Sequence, residues 1–172
     1  GLPFNTMMHF VVQEHHARHL HWDFRLEISG VLKSWSIPKG PSLNPADKRL
    51  AVMVDDHPLA YLHFEGIIPK GEYGAGLVIV WDQGSYCLIE GDDPANGLES
   101  GKIAIELQGR ILRGGFSLIQ MKGRGEKNWL LIKKKDQYSE MKWAIETALT
   151  KEKKNSLYEK NPPCKSNKFP IS

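Results

Sequence analysis

The nine residues Leu20–Ile28, L-H-W-D-F-R-L-E-I, decide how the rest of the sequence is read. Side chains on a strand point alternately to its two faces. Trp22, Phe24, Leu26 and Ile28 therefore form one apolar stripe, and His21, Asp23, Arg25 and Glu27 share the other face, with His19 in phase. The stripe marks a strand buried on one side. The opposite side is unusual, because a solvent-facing strand mostly mixes charges with Thr, Ser or Lys. Here it presents an imidazole, a carboxylate and a guanidinium in succession.

Outward from this strand the chain repeats the same grammar. Apolar or alternating runs lie at His9–Gln13, Leu32–Ile37, Leu50–Val54, Leu59–Phe64 and Leu77–Trp81, and again at Tyr86–Ile89, Lys102–Leu107, Phe116–Met121 and Trp129–Lys133. Gly30, Pro38–Pro41, Gly71–Gly76, Asp82–Gly84 and Gly91–Gly101 supply the breaks. Many short strands at this spacing predict a mainly β protein. The expected fold is a closed or nearly closed β-barrel, although pattern alone does not separate barrel from sandwich. One helix is expected: Ser139 caps Glu140–Thr150, where Met141, Ala144, Ile145, Ala148 and Leu149 make one apolar face. Residues 1–150 read as one domain, and the Lys-, Asn- and Pro-rich residues 151–172 as a disordered basic tail.

Composition limits the function classes. The chain has 172 residues, 41% hydrophobic and 25% charged, enough for one domain with a real core. No apolar run approaches the roughly 20 residues that span a bilayer, and no signal-peptide plan opens the chain, so no membrane partner is expected. Cys87 and Cys164 form neither a metal-binding pair nor a disulfide framework. These features fit a reducing, cytoplasmic setting. The net charge of +3 is uneven: residues 151–172 hold six lysines against two glutamates, which leaves the first 150 residues at −1. Global basicity is therefore no argument for nucleic-acid binding by the folded part. Five of the seven histidines fall between His9 and His21.

The polar face of Leu20–Ile28 suits metal-assisted work on a phosphate. Neutral imidazole and carboxylate together favour a transition-metal dication over Ca²⁺ or Mg²⁺. An arginine fork beside them matches phosphate oxygens. His15, just upstream in Q-E-H-H-A-R-H-L-H, can return over a tight loop to add an imidazole. His21 and Asp23 can also simply pair on an exposed strand, but that reading does not account for the whole array.

Other segments are less specific. In D-D-H-P-L-A-Y-L-H-F-E-G, His57 and Tyr61 can hold a phosphate or assist proton transfer, or they can close a turn and a core edge. The segment does not choose between these. Gly66–Leu77 lacks the G-K-[ST] of a phosphate loop and reads as a tight turn into the next strand. Lys39 and Arg49 flank the P-K-G-P-S-L turn, where they can reach a backbone phosphate or remain plain surface. Lys133–Lys135 reads as a solvated run, with nucleic-acid contact as the alternative.

Taken in order, F-V-V-Q-E-H-x5-H-W-D-F-R-L-E, L-K-S-W-S-I-P-K-G-P-S, R-L-A-V, D-H-P-L-x-Y and F-E-G-x-I-P-x-G-x-Y-G resemble the 3′-phosphoesterase domain of bacterial DNA ligase D, a family with free-standing bacterial and archaeal members. The resemblance runs from about His9 to Lys134. It implies a manganese-dependent β-barrel enzyme, with Zn²⁺ or Co²⁺ as other candidates, that heals 3′ ends in non-homologous end joining. Such enzymes remove a 3′-terminal ribonucleoside from a primer-template and then the remaining 3′-phosphate, leaving a 3′-hydroxyl. By motif matching, His15, His21 and Asp23 take metal-ligand positions, and Arg25, His57 and Tyr61 take phosphate and catalytic positions. Gln13, Lys39, Arg49 and Asp55 match a second, substrate-binding tier. Ligase D versions carry a longer N-terminal arm, whereas eight residues precede His9 here. The sequence contains no K-x-D-G ligase motif and no room for a polymerase, so a separate ligase or polymerase is the expected partner, in the nucleoid of a prokaryote.

Two rivals make opposite predictions. H-x-D with a distant His is also the facial triad of a non-haem Fe(II) oxygenase. A non-catalytic nucleic-acid-binding barrel would depend on residues 151–172 and tolerate loss of His21.

Overall fold

Ser29 and Gly30 both adopt positive φ, 53° and 81°, as the two central residues of a type I′ hairpin turn require. That turn fixes strand β2 (Leu20–Ile28) against β3 (Val31–Ile37), so that Arg25 pairs with Ser34 and Asp23 with Ser36. The computed structural model describes residues 7–163. Its remaining strands are β1 (Met8–His16), β4 (Arg49–His57), β5 (Gly66–Ile68), β6 (Gly76–Leu88), β7 (Lys102–Gly109), β8 (Arg113–Gln120) and β9 (Asn128–Lys133). Neighbours run antiparallel in the order β1-β2-β3-β4-β9-β8-β7-β6, and β6 pairs back onto β1. The result is a closed eight-stranded barrel, with β5 attached to the start of β6.

Alternation sorts the side chains. Trp22, Phe24, Leu26 and Ile28 are at most 5% exposed and join Phe10, Val12, Trp35, Ile37, Tyr86, Phe116 and Trp129 inside the barrel. Leu32 and Val78, in opposite phase to Trp35 and Ile79, belong to a second cluster with Tyr61, Phe64 and Ile68. This cluster lies outside the barrel wall, where the segment between β4 and β6 folds back over it. The polar face of β2 is therefore covered rather than solvent-facing: Asp23 is 6% exposed and Arg25 3%.

Several expectations are corrected. Leu59–Phe64 is not a strand; Leu59–His63 forms a 3-10 turn. Pro58 precedes it with φ −69°, and the i→i+3 bonds Tyr61 N–H to Pro58 O and Phe64 N–H to Tyr61 O close it. The spacing of three puts Tyr61 and Phe64 on one side, their rings stacked at 4.9 Å. Leu77–Trp81 and Tyr86–Leu88 are parts of one continuous strand, β6, which ends before Ile89. Asp82 does not break it. Its buried carboxylate accepts from the backbone N–H groups of Arg110, Ile111 and Leu112 and so holds the β7–β8 turn. A short helix, α1 (Pro94–Ser100), occupies part of the expected Gly91–Gly101 break, capped by Asp93 and ended by left-handed Gly101.

The helix expected over Glu140–Thr150 does not form, because its backbone groups bond to the barrel instead. Buried Glu14 accepts from the N–H groups of Ala148 and Leu149, and the indoles of Trp81 and Trp143 donate to the carbonyls of Glu146 and Pro41. Trp143, Ile145 and Ala148 pack on the barrel core, while Met141 is 66% exposed. The C-terminal helix lies one segment later: α2 (Lys151–Ser156), capped by Thr150, within the stretch read as a disordered tail. Beyond it, Tyr158 and Lys160 pair with Ile67 of β5. The rest of that stretch, residues 164–172 with Cys164, lies outside the described residues. Lys133 is not solvated. Its side chain is fully buried, donates to the Lys134 carbonyl and pairs with Asp136 at 2.6 Å.

Candidate metal centre

Three ligand-type groups converge on the outer face of β1 and β2. The β1–β2 hairpin pairs His15 with His21, and their rings meet edge to face at 4.7 Å. Asp23 lies two residues along, its Oδ1 3.3 Å from His21 Nε2 and its Oδ2 3.4 Å from His15 Nδ1. The ligand atoms of the three residues all lie within 4.8 Å of one another.

Each imidazole is oriented by a backbone carbonyl closer than the carboxylate. His15 Nε2–H donates to Gly74 O at 2.8 Å, and His21 Nδ1–H donates to His19 O at 3.0 Å. A neutral imidazole bonded in this way holds a lone pair at its other nitrogen. In the neutral form that a metal requires, the lone pairs of His15 Nδ1 and His21 Nε2 are thus directed to the same space as the carboxylate; in the protonated form the same two nitrogens donate to it. Burial pushes the Asp23 carboxyl up, but the Arg25 charge and the hydrogen bonds with His15 and His21 hold it well below the usual carboxylate range. For His21, burial acts downward and Asp23 more than reverses it, so the imidazole ends above its ordinary value. Two nitrogens and an ionised carboxylate oxygen fit a divalent transition metal.

Arg25 is anchored from several sides. Its Nε donates to Gln13 Oε1 at 2.6 Å and its Nη1 to Ser34 Oγ at 2.9 Å. Nη1 also reaches His57 Nδ1 at 3.2 Å, and the guanidinium lies over the Tyr61 ring at 4.8 Å. Its Nη2 makes the longer 3.4 Å contact with Asp23. Fully buried Gln13 also donates through Nε2 to the carbonyls of Tyr61 and Phe64, which ties the arginine to the 3-10 turn.

A register shift places His57. Leu32 pairs with His57 but Ser34 with Val54, so β4 carries one extra residue. Simple alternation from core-facing Ala51 and Met53 would aim His57 inward; the bulge turns it to the outer face. There its Nδ1 meets both a donor, Arg25, and an acceptor, the Asp55 carbonyl at 3.0 Å. Its ring packs on Tyr61 at 4.7 Å. Burial pushes the Tyr61 phenol up to about 12, with Arg25 opposing, so it keeps its proton at neutral pH and is a donor there.

His15, His21, Asp23, Arg25, His57 and Tyr61 all line one cavity of about 320 Å³. Gln13 supports it from behind. Lys39 and Arg49 are not in it. They line a separate cavity of about 440 Å³ with Lys48, past the end of β3 and at the start of β4, where Arg49 also pairs with Asp47. Asp55 is exposed and meets the site through its carbonyl. Sequence reasoning missed Ser34, Gly74 and Tyr73. Ser34 was accessible from the hairpin register, whereas Gly74 and Tyr73 reach the site only through the tertiary path of the glycine-rich loop.

Residues 13–120 match the profile of the DNA Ligase D 3′-phosphoesterase domain. The multifunctional non-homologous end joining protein LigD of Pseudomonas aeruginosa is 53% identical over 131 residues, covering 76% of this chain and 15% of that protein. The protein of the same name from Mycolicibacterium smegmatis is 49% identical over 134 residues, covering 74% of the chain and 17% of its own length. The multifunctional non-homologous end joining DNA repair protein LigD of Mycobacterium tuberculosis is 46% identical over 129 residues, 74% and 16% respectively. The chain thus spans less than a fifth of the length of these relatives.

Proposed function

The chain belongs to the DNA ligase D 3′-phosphoesterase domain family, and from that premise we propose that it is a Mn²⁺-dependent hydrolase that heals DNA 3′ ends. On this reading it removes a 3′-terminal ribonucleoside from a primer-template and then the 3′-phosphate. A cytoplasmic, nucleoid-associated enzyme would hand the resulting 3′-hydroxyl to a separate ligase or polymerase. The observation that carries the reading is the convergence of two carbonyl-oriented imidazoles and an ionised carboxylate beside a buried, multiply anchored arginine.

His15, His21 and Asp23 are the proposed ligands. The bound dication would polarise phosphoryl oxygens and lower the pKa of a water. Arg25 presents Nη2 to a non-bridging oxygen while its other nitrogens stay fixed, which is the preorganisation that stabilises charge on a transferring phosphoryl group. His57, with Nδ1 between a donor and an acceptor, can hold or release a proton there, and the Tyr61 hydroxyl donates a hydrogen bond. Lys39 and Arg49 are assigned to the strand beyond the cavity, and Asp55 to placing His57. With the first 150 residues at −1, attraction to DNA comes from such local cations.

The test is a primer-template ending in one 3′-ribonucleotide, incubated with Mn²⁺ or EDTA. Trimming to a 3′-hydroxyl that is lost on chelation is expected. No product with any divalent metal, or turnover that requires oxygen, would overturn the reading.

A further inference from the structure

The cavity has two chemistries. Its floor is the polar set just described; its rim is apolar and comes from elsewhere in the chain. Tyr73, in the β5–β6 loop, lines the cavity and is 70% exposed. Gly71, Gly74 and Gly76 carry that loop at φ of 88°, 76° and 127°. A Cβ on Gly76 would fall 2.4 Å from the His16 carbonyl oxygen, so the end of the loop packs closely against the end of β1.

Pro162 and Pro163 form another part of the rim. They follow a segment fastened to the site's own cover. Ile67 N–H donates to Tyr158 O, Lys160 N–H donates to Ile67 O, and Lys153 pairs with Glu65. The Lys160 ammonium lies 5.2 Å over the Phe64 ring, which stacks on Tyr61. Proline lacks a backbone donor. This wall therefore offers apolar surface and does not compete with Arg25 for phosphate oxygens. Both prolines lie beyond the residues that match the family profile.

We propose that Tyr73 and Pro162–Pro163 form a subsite for the nucleoside on the leaving side of the scissile phosphate, with its base stacked on the Tyr73 ring. Aromatic stacking tolerates every base, so the subsite would select for the presence of a base rather than its identity. A cavity of about 320 Å³ is at the small end of ligand pockets, which suits a terminal unit rather than a continuing strand. The inference rests on the phosphoesterase reading and assigns a binding role only.

The experiment compares primer-templates whose last ribose carries a base or is abasic. Affinity is measured by fluorescence anisotropy with metal chelated, and trimming is measured with Mn²⁺. The wild type should bind the base-bearing end about tenfold more tightly, the scale of one aromatic stack. Tyr73→Ala should erase that preference and Tyr73→Phe should keep it. Tyr73→Ala should also lower the ratio of ribonucleoside trimming to 3′-phosphate release about tenfold, mainly through KM. Pro162→Gly/Pro163→Gly should weaken the preference in part. Equal affinity of the wild type for the two ends overturns the subsite, as does loss of both activities in equal proportion in Tyr73→Ala. Base preference lost in Tyr73→Ala, with no turnover by any form, would uphold the subsite and reject the catalytic reading.

Discussion

The two faces of β2 use the same backbone for different ends. On the inner face, Trp22, Phe24, Leu26 and Ile28 belong to the hydrophobic core, and their main contribution is the removal of surface from water. On the outer face, His21, Asp23 and Arg25 are also shielded, but by a cavity and a 3-10 turn, and they make polar and aromatic contacts. Burial alone therefore does not distinguish core from site. What differs is whether the buried groups complete one another or leave directed lone pairs and donors pointing into space.

The sharpest break of this comparison is His21→Ala. It should lower 3′-phosphate release at least about 10³-fold, as loss of metal and transition-state charge stabilisation does, while the melting temperature barely moves. Phe24→Ala should do the reverse. We expect a loss of about 3–4 kcal/mol in denaturant unfolding, with activity per folded molecule retained. Next comes Gln13→Ala, which frees Arg25 Nε and removes the side-chain donor shared by the Tyr61 and Phe64 carbonyls, of which Tyr61 keeps the Phe64 N–H. A 10–100-fold loss of activity is expected, comparable to removing an orienting partner of a metal site, together with a measurable loss of stability.

Lys133 and Asp136 sharpen the contrast from the other side, because there a buried ammonium is paired with an exposed carboxylate, away from the cavity that holds His21 and Asp23. Asp136→Asn should cost about 1 kcal/mol at pH 7 by removing the counter-charge of Lys133, whose ammonium keeps the Lys134 carbonyl, with activity unchanged. Burial raises the Asp136 carboxyl, but Lys133 and the N–H groups of Gly115 and Tyr138 bring it below its ordinary value. A depressed folded-state value means that its stabilisation is present above the ordinary carboxylate range and is lost as pH falls through that range and below. Urea melts from pH 6 to pH 3 should therefore converge for wild type and Asp136→Asn. The smallest effect is expected at His9, whose side chain is 60% exposed and pairs with Glu27 at the surface. His9→Ala should change stability by less than about 0.5 kcal/mol and leave metal binding intact.

Much of this was legible in the sequence, where the signal was local. Period two in Leu20–Ile28 separated the two faces, and the strand runs led to the mainly β reading. The signal failed where tertiary partners replaced local ones. Glu140–Thr150 has a helical apolar pattern, yet Glu14, the Trp81 indole and the Asn44 amide take up its backbone groups. His57 was ambiguous because an extra residue in β4 reverses its face, and bulges leave no periodic trace. Tyr61 reads as a strand residue in the sequence because three-residue periodicity over five residues is too short to register. The histidine excess resolves into different jobs. His15 and His21 join Asp23, whereas His9 pairs with Glu27 and His16 with Glu14 at 2.6 Å.

The most direct test of the central claim, that the outer face of β1 and β2 holds the metal, is a Mn²⁺ titration of the purified protein followed by electron paramagnetic resonance. The account predicts one tight site per chain, abolished in His21→Ala and in Asp23→Asn and retained in Phe24→Ala at temperatures where that variant is folded. Tight binding that survives in both outer-face variants would contradict it.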